Sequence, residues 1–293
     1  MVEPFQPDIC TQHDLTAAHE KAARFLGLAC TGPPVFGTSG TTVGRPAENV
    51  WLRVSRSSRL RAPRAAGQGT LGAEQLVPAA VPRPRLHDTL DWTETGSFYQ
   101  ADVFDLVGPA VSSTPDLHED PGLSNDWWAG LRSALAGIGE APSTKITIRQ
   151  TWVEEVFPKY LGIPAPTEIE RTPGHGDLQW ANLTARPLKI LDWERWGLVP
   201  VGYDPAVLWV SSLLVPAVAH RVREEFAGVL ESPAGRVGQL VALAEMFQAV
   251  DRGYYPELAP LLADRARELT GVTAPRARGA GATDSTQIDG GTR

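Results

Sequence analysis

The sequence predicts an α+β protein of two lobes, in which an antiparallel sheet lobe precedes a helical lobe. Short β-type runs separated by glycine precede Gly108-Pro109, and apolar residues recur every three or four positions after it. The chain has 293 residues, 42% hydrophobic and 21% charged, which is enough to bury a large core. We therefore place the lobes at residues 1–107 and 108–275. We expect a disordered tail at residues 276–293, where large apolar side chains are scarce.

The first lobe is predicted to contain one amphipathic helix and five strands. The helix covers residues 11–26, with Thr11 as its cap and Gly27 at its end. Strands are predicted at residues 35–36, 41–43, 50–54, 77–85 and 100–107, and loops at residues 37–40 and 44–49. The loop at residues 37–40 lacks a complete glycine-rich phosphate motif, so a plain β-turn is the default interpretation and phosphate contact is the alternative.

Three helices are indicated in the second lobe by apolar spacings of three and four. The first follows a possible cap at Ser124, and the others run through residues 218–229 and 240–250. Between the first and second lies a compact, loop-like segment at residues 174–197. Its strand-like pieces at residues 182–184 and 188–191 predict a small hairpin.

Composition restricts the partners and the compartment. A net charge of −7 argues against binding to nucleic acid, whose partners are basic. Cys10 and Cys30 fit no disulfide or zinc pattern, which is typical of thiols in a reducing compartment. The chain shows no secretory signal, and its most apolar stretch, residues 207–219, is too short to span a membrane. We therefore expect a cytoplasmic protein with neither nucleic acid nor membrane as its partner.

Two carboxylates and a carboxamide fall on short turns around the predicted hairpin. Asp177 and Asn182 are five residues apart, and Asp192 comes ten residues after Asn182. Phosphoryl transfer needs a carboxylate that orients or deprotonates the attacking hydroxyl, and hard oxygen ligands that hold Mg²⁺ against the phosphates. Asp177 suits the first task, and Asn182 and Asp192 suit the second.

The motif His-Gly-Asp-Leu-x-x-x-Asn begins at His175 and is followed by Leu191-Asp192-Trp193. It resembles the catalytic loop and metal-binding segment of the aminoglycoside phosphotransferase and choline kinase family. Residues 200–206, Pro-Val-Gly-Tyr-Asp-Pro-Ala, are similar to the segment that follows the metal-binding aspartate in that family. The resemblance covers residues 11–272 but is specific only at residues 174–206. It implies a two-lobed, protein-kinase-like fold.

Residue by residue, the resemblance implies roles for five side chains. Asp177 would be the catalytic aspartate, and Asn182 and Asp192 the Mg²⁺ ligands. His175 would shape the loop, since a catalytic carboxylate lies two residues on, and Asp204 would support the loop. Glu194 would contact the metal through water, contact the substrate, or be a solvated turn residue. Trp180 and Trp193 are expected to pack rather than to stack on a ligand.

The resemblance also implies the substrates. Mg²⁺ would act with ATP or GTP, and the backbone around Phe104 and Leu106 would face the adenine. The acceptor would be a small hydroxylated molecule, such as an antibiotic, a sugar or an amino alcohol. A polycationic acceptor would need an acidic wall. Candidates are Asp126, Glu224, Glu225, Asp251 and Glu257, although solvated helix faces explain them as well.

The sequence departs from the family pattern at one position. Kinases of this type place a strand lysine on the phosphates, paired to a helix glutamate. The only lysine in the first lobe is Lys21, inside the first helix, and the strand position holds Arg53. Arg53 would either replace the lysine in phosphate contact or be a surface arginine. Glu74 is its possible partner or an exposed helix residue.

Three functions remain open from the sequence. The leading one is a small-molecule kinase that transfers the γ-phosphoryl group to a hydroxyl. The second is a pseudokinase-like binding protein without turnover, which the missing lysine favours and the intact Asp177, Asn182 and Asp192 oppose. The third is a metal-dependent hydrolase using His175, Asp177 and Asp192. It would need more histidine ligands, and the remaining histidines lie at no ligand-like spacing.

Overall fold

A computed structural model of the chain describes residues 7–37, 40–58 and 69–275. A five-stranded antiparallel sheet comes first and a set of helices follows, so the α+β prediction is confirmed. The predicted tail at residues 276–293 lies outside the described residues, as do Thr38 and Ser39 of the first hairpin loop. No helix in the described part of the chain is both long and apolar enough to cross a bilayer.

The sheet lobe has strand order β1-β2-β3-β5-β4, with every neighbouring pair antiparallel. Its elements are α1 (Ile9–Leu26), β1 (Val35–Phe36), β2 (Thr42–Ala47), β3 (Val50–Ser58), α2 (Gly69–Leu76), β4 (Leu86–Glu94) and β5 (Ser97–Asp105). The turn between β4 and β5 is Thr95-Gly96, and both residues have positive φ (46° and 83°). Two-residue turns with such angles match the twist of the strands they join.

Helix α1 packs on this sheet through its apolar face. Leu15 and Ala22 are fully buried against Leu52 of β3 and its neighbours. The helix begins earlier than predicted, because Asp8 and not Thr11 is the cap. The Asp8 carboxylate accepts from the backbone N–H groups of Cys10 (3.1 Å) and Thr11 (3.0 Å).

The predicted strand at residues 77–85 is wrong. Arg83 is buried there and donates to the carbonyls of Val77 (3.0 Å) and Pro78 (2.9 Å), so these residues form a turn. The Pro82 carbonyl accepts from the Ile190 N–H (2.9 Å), which attaches the turn to the helical lobe. The fourth strand is β4 instead. It is an edge strand with mostly exposed polar residues, so its apolar signal is weak.

Strand β2 also extends to Ala47, where the sequence predicts a loop after Val43. Gly44 lies inside this strand, and a Cβ there would overlap the ring of Trp51 on β3. The glycine therefore permits a close approach of an aromatic ring rather than a turn.

The helical lobe contains the larger of the two cores. Its elements are α3 (Asn125–Gly139), α4 (Gln150–Val156), β6 (Arg171–Gly174), β7 (Gly197–Pro200), α5 (Tyr203–Val210), α6 (Pro216–Glu225), α7 (Ala227–Leu230), α8 (Pro233–Asp251) and α9 (Ala259–Thr270). The predicted cap Ser124 does accept from the Trp127 N–H (3.2 Å). Trp180 and Trp193 are buried, as predicted.

The sheet ends at Asp105, and we propose that the lobes divide at Gly108-Pro109. Ala73, Val77 and Val81 precede that point in the chain but pack in the core of the helical lobe. This contact places α2 and the turn after it against the hairpin segment described next.

Candidate active site

The catalytic-loop motif lies between β6 and β7, which pair with each other. It starts at the end of β6, passes through a 3₁₀ turn at Trp180–Asn182 and returns through a bridge between Leu183 and Ile190. Gly176 has φ 84°, and a Cβ there would overlap the carbonyl of Arg195. Only glycine therefore fits this close passage of the loop.

Asp204, in the first turn of α5, binds the start of the loop. Its carboxylate accepts from the N–H groups of His175 (2.6 Å) and Gly176 (2.9 Å). Burial raises the pKa of Asp204, although the His175 charge and these two N–H donors act in the opposite direction. The contacts match a loop-supporting role, which remains a prediction.

His175 connects the two halves of the hairpin. Its Nε2 donates to the Leu191 carbonyl (2.8 Å), and its ring meets the Trp193 ring edge-on with centroids 5.0 Å apart. Because the carbonyl only accepts, Nε2 carries the proton and is not a metal ligand in this arrangement. The other ring nitrogen, Nδ1, is buried without a hydrogen-bond partner among the described residues, so the hydrolase alternative is not tested by this contact.

Asp177 and Asn182 are in direct contact. The Asn182 side-chain amide donates to the backbone carbonyl (2.9 Å) and to Oδ2 (3.2 Å) of Asp177. Burial raises the pKa of Asp177 to about 6; the Asp192 charge adds to the rise, and Arg195 opposes it. A carboxylate with a raised pKa is a stronger base than an ordinary aspartate.

Asp192 faces Arg53 of β3. Arg53 Nη1 donates to Asp192 Oδ1 (2.9 Å), and Arg53 Nη2 donates to Glu194 Oε1 (2.7 Å). Burial acts to raise the pKa of Asp192, but the charge of Arg53, the hydrogen bond from Arg53 and the charge of His175 together hold the pKa below its usual value. The suggested pairing of Arg53 with Glu74 is wrong, because Glu74 forms ion pairs with two other arginines, Arg83 and Arg85.

The donor atoms near this pair suit Mg²⁺. With its amide nitrogen bound to Asp177, Asn182 has Oδ1 left as a neutral oxygen donor, and Asp192 adds a carboxylate. Among the described residues no group of three or more His, Cys, Asp or Glu side chains is arranged to hold a metal. Mg²⁺ commonly binds through one or two carboxylates and completes its shell with water and phosphate oxygens, so the two residues fit it.

A cavity of about 600 Å³ lies between the sheet and the hairpin. Phe36, Trp51 and Phe104 form apolar walls, and Arg53 and Asp192 also line it. Phe104 and Leu106 line this cavity, and their contact with adenine remains a prediction. The Leu106 N–H, however, donates to the Asn49 carbonyl (3.0 Å), so this donor is already used.

A second, smaller cavity of about 200 Å³ contains Asp177. One wall carries an ion pair and a hydrogen bond: Glu245 of α8 binds Arg195 (2.7 Å) and the hydroxyl of Tyr203. The sequence analysis did not identify this group. Glu245 is the only charged residue between Arg236 and Asp251 on α8, and such isolation within an apolar run is the signal that could have shown it.

The five acidic residues considered for a substrate wall are not among the described residues that line this cavity. Glu225 pairs with Arg132 and Arg221, and Asp251 accepts from the Tyr160 hydroxyl (3.1 Å). The carboxylates of Glu225 and Asp251 are therefore engaged by other residues of the helical lobe.

The chain matches no protein-family model and no curated protein. Its fold is that of the small-molecule phosphotransferases of the protein-kinase-like type, as three solved structures show. A thermostable mutant of aminoglycoside phosphotransferase APH(4)-Ia is 11% identical, with a TM-score of 0.55 over 86% of this chain and 97% of that one. Choline kinase LicA from Streptococcus pneumoniae is 12% identical, with a TM-score of 0.53 over 89% and 100%. Aminoglycoside-3'-phosphotransferase of type VIII is 17% identical, with a TM-score of 0.51 over 80% and 98%. The predicted resemblance is thus confirmed for the fold.

Proposed function

We propose that the protein is a small-molecule kinase, which transfers the γ-phosphoryl group of Mg-bound ATP or GTP to a substrate hydroxyl. One observation carries the proposal: a single hairpin separates two cavities, with Asp192 in the larger and Asp177 in the smaller. Asn182 joins them, because its side chain binds Asp177 and its carbonyl accepts from the Leu191 N–H (2.8 Å). Such a layout holds a nucleotide and an acceptor on opposite sides of one catalytic loop.

The larger cavity suits a nucleoside triphosphate. Its volume of about 600 Å³ lies within the usual range for cofactor sites, and its apolar walls suit a base. Arg53 and Asp192 provide a cation for phosphates and a carboxylate for the metal. A ternary complex of a thermostable APH(4)-Ia mutant with AMP-PNP and hygromycin B has the same fold, with a TM-score of 0.54, which supports nucleotide binding by a protein of this fold.

Asp177 is proposed as the catalytic base. It accepts the proton of the acceptor hydroxyl, whose oxygen bonds to the γ-phosphorus while the bond from that phosphorus to the β–γ bridging oxygen breaks. The nucleoside diphosphate then leaves with the bridging oxygen. Asn182 and Asp192 would hold Mg²⁺, which neutralises the charge that develops on the phosphates. His175 and Asp204 keep the loop in place.

The second candidate is a nucleotide-binding protein without turnover. Arg53 holds both Asp192 and Glu194 in this structure, and a contact that persisted with nucleotide bound would keep Asp192 from the metal. Nucleotide consumption that increases with an added acceptor supports the kinase. Nucleotide binding without such consumption supports the alternative.

Thermal unfolding with ATP or GTP, with and without Mg²⁺, tests the proposal first. At about 100 times its Kd, a ligand of the folded state adds about 2.7 kcal/mol, which raises Tm by several degrees. We expect the rise to require Mg²⁺ and to be lost in Asp192→Ala. Asp264→Ala, at an exposed helix pair, serves as the control and should keep it. An absence of any rise in the wild-type protein would contradict the nucleotide site.

A further inference from the structure

An arginine beside the catalytic loop has two neighbouring carboxylates and forms an ion pair with only one of them. Arg195 ends the 3₁₀ turn at Trp193–Arg195, and a Cβ at Gly176, the residue before Asp177, would lie 3.2 Å from the Arg195 Cβ. The guanidinium nevertheless reaches α8. There its Nη1 donates to Glu245 Oε1 (2.7 Å), and in the described structure Arg195 forms no ion pair with Asp177.

The side chains of Arg195 and Asp177 are close enough for their charges to interact. Burial has the largest influence on the pKa of Asp177 and raises it; the Arg195 charge lowers this pKa, and the Glu245 charge raises it. Unlike charges attract each other more strongly in a partly buried site than in water. Without a competing carboxylate, Arg195 would therefore pair with Asp177.

The competing carboxylate, Glu245, is fixed by its neighbours. The hydroxyl of Tyr203 on α5 donates to Glu245 Oε2, and burial raises the pKa of Tyr203 well above its usual value, so the hydroxyl keeps its proton. The main chain of Arg195 is fixed as well, because its carbonyl accepts from Thr147 Oγ1 (2.7 Å). A change of partner would thus require only a rotation of the Arg195 side chain.

The proposed base needs a carboxylate oxygen that the acceptor hydroxyl can reach. Asp177 Oδ2 accepts from the Asn182 amide (3.2 Å), whereas Oδ1 accepts no hydrogen bond from the described residues. Since an arginine can bind both oxygens of a carboxylate at once, an ion pair with Arg195 would occupy the oxygen that the reaction needs. It would also make Asp177 a weaker base, because a nearby cation stabilises the ionised carboxylate.

We propose that Glu245 is a positioning residue for the phosphoryl transfer: by pairing with Arg195 it keeps the guanidinium from Asp177, whose carboxylate then receives the acceptor hydroxyl. The inference rests on the proposed kinase function. It gives a reason for the one charged side chain in the apolar run of α8 between Arg236 and Asp251. An apolar residue at position 245 would match its neighbours on the helix but would leave Arg195 to Asp177.

The exchange of partners can be measured on the protein alone, without nucleotide or acceptor. Asp177→Asn and Arg195→Met, singly and together, give Tm changes that add when the two side chains do not interact. We expect a small deviation from additivity in the wild-type background and a larger one in Glu245→Gln, where Arg195 turns to Asp177. Glutamine has the size of glutamate and still accepts from the Tyr203 hydroxyl, so this variant should fold. Equal deviations in the two backgrounds would overturn the inference.

Turnover provides the second measurement, as phosphate release from Mg-bound ATP or GTP with water as the acceptor. Glu245→Gln should lower the rate about 10-fold, a part of what a general base contributes, and should leave the Mg-dependent Tm rise with nucleotide unchanged. Arg195→Met combined with Glu245→Gln should recover most of the rate, because no guanidinium remains to bind Asp177. A merely structural role of Glu245 would give no recovery.

Glu268→Gln is the matched control, since it removes the carboxylate from an exposed pair with Arg265 on α9 and should change neither measurement. Full turnover in Glu245→Gln, or a double variant as slow as Glu245→Gln alone, would contradict the positioning role. A failure of the kinase proposal would show in the wild-type protein, as missing nucleotide binding or missing phosphate release. The Tm comparison would still decide whether Glu245 keeps Arg195 from Asp177.

Discussion

Asp177 and Asp192 lie on one hairpin, and their surroundings act on them in opposite ways. Asp177 accepts hydrogen bonds from the neutral amide of Asn182, and burial raises its pKa. Asp192 accepts from the guanidinium of Arg53, which keeps its pKa low despite burial. Both carboxylates are partly buried, and the sheet lobe supplies a hydrogen-bonded cation, Arg53, to only one of the two, Asp192.

The comparison suggests a division of labour. A carboxylate held in its ionised form is prepared for a cation, whereas one whose pKa is raised is the better proton acceptor. Arg53 of the sheet lobe thus lowers the pKa of Asp192, the proposed metal ligand, whereas burial raises the pKa of Asp177, the proposed base. Separate substitutions on each side can test this division.

Asp177→Asn should have the largest effect. Loss of a catalytic base lowers kcat by about 100-fold to 10,000-fold, while the amide keeps the size and shape of the side chain. Mg-dependent nucleotide binding should remain, because Asp177 lines the other cavity. Acceptor-dependent nucleoside diphosphate release and the nucleotide-induced Tm rise measure the two properties.

Asp120→Asn is the control for this change, since Asp120 is exposed, accepts from the backbone N–H of Gly122 and is not a lining residue of either cavity. If Asp177→Asn kept full turnover, another group would have to remove the proton. The division between the two aspartates would then be incorrect.

Arg53→Met should have the next largest effect, and it acts on Asp192, the other aspartate of the comparison. Removing a residue that holds a metal-side ligand typically costs 10-fold to 100-fold in affinity, so we expect the KM for the nucleotide to rise by roughly that factor. Arg53→Lys should raise this KM less, because the lysine ammonium keeps the positive charge. Some loss remains, because a single ammonium replaces a planar group that binds two carboxylates at once. Glu194→Gln should raise the KM for the nucleotide least of the three. Steady-state kinetics with varied nucleotide would rank the three.

Arg56→Met on the same strand provides the comparison, because Arg56 pairs with the exposed Asp14 of α1 and not with the hairpin. If Arg53→Met left the KM for the nucleotide unchanged, Arg53 would have only a structural role. A lower KM in Arg53→Met would show instead that Arg53 competes with the nucleotide for Asp192.

The sequence was most informative where the site depends on short-range contacts. Asp177 and Asn182 touch across five residues, and the motif that contains them predicted both. The partners that set the charge state were harder to predict. Arg53 and Asp192 meet across 139 residues, because the hairpin segment lies against the sheet lobe. Glu245 lines the second cavity, where α5 packs on α8, and its isolation within an apolar run is the one local signal for it.

The errors in the predicted secondary structure also arise from packing between distant parts of the chain. Periodicity recovers α3, whose buried face repeats at helical spacing, and the second half of α8, which is buried on several sides. It misses β4, whose edge position leaves few apolar residues, and it misplaces residues 77–85, whose apolar side chains pack on the other lobe. An apolar run indicates burial but does not identify the surface that buries it.

His19→Gln gives the smallest expected effect and extends the comparison to a buried base. His19 of α1 is buried, and its Nε2 donates to the Leu52 carbonyl (3.1 Å). Burial lowers the pKa of His19, although the bond to Leu52 opposes the change, so the folded state favours the neutral ring. The resulting stability is present above the unfolded-state pKa of about 6.5 and is lost as the pH falls through it, by at most about 1.4 kcal/mol per pH unit. Tm of the wild-type protein should therefore fall more than that of His19→Gln between about pH 7.5 and pH 5.5, since glutamine keeps an N–H donor and does not titrate.

His13→Gln, at an exposed position of the same helix, should behave like the wild-type protein. Equal falls in the wild-type protein and His19→Gln would show that the acid sensitivity arises elsewhere.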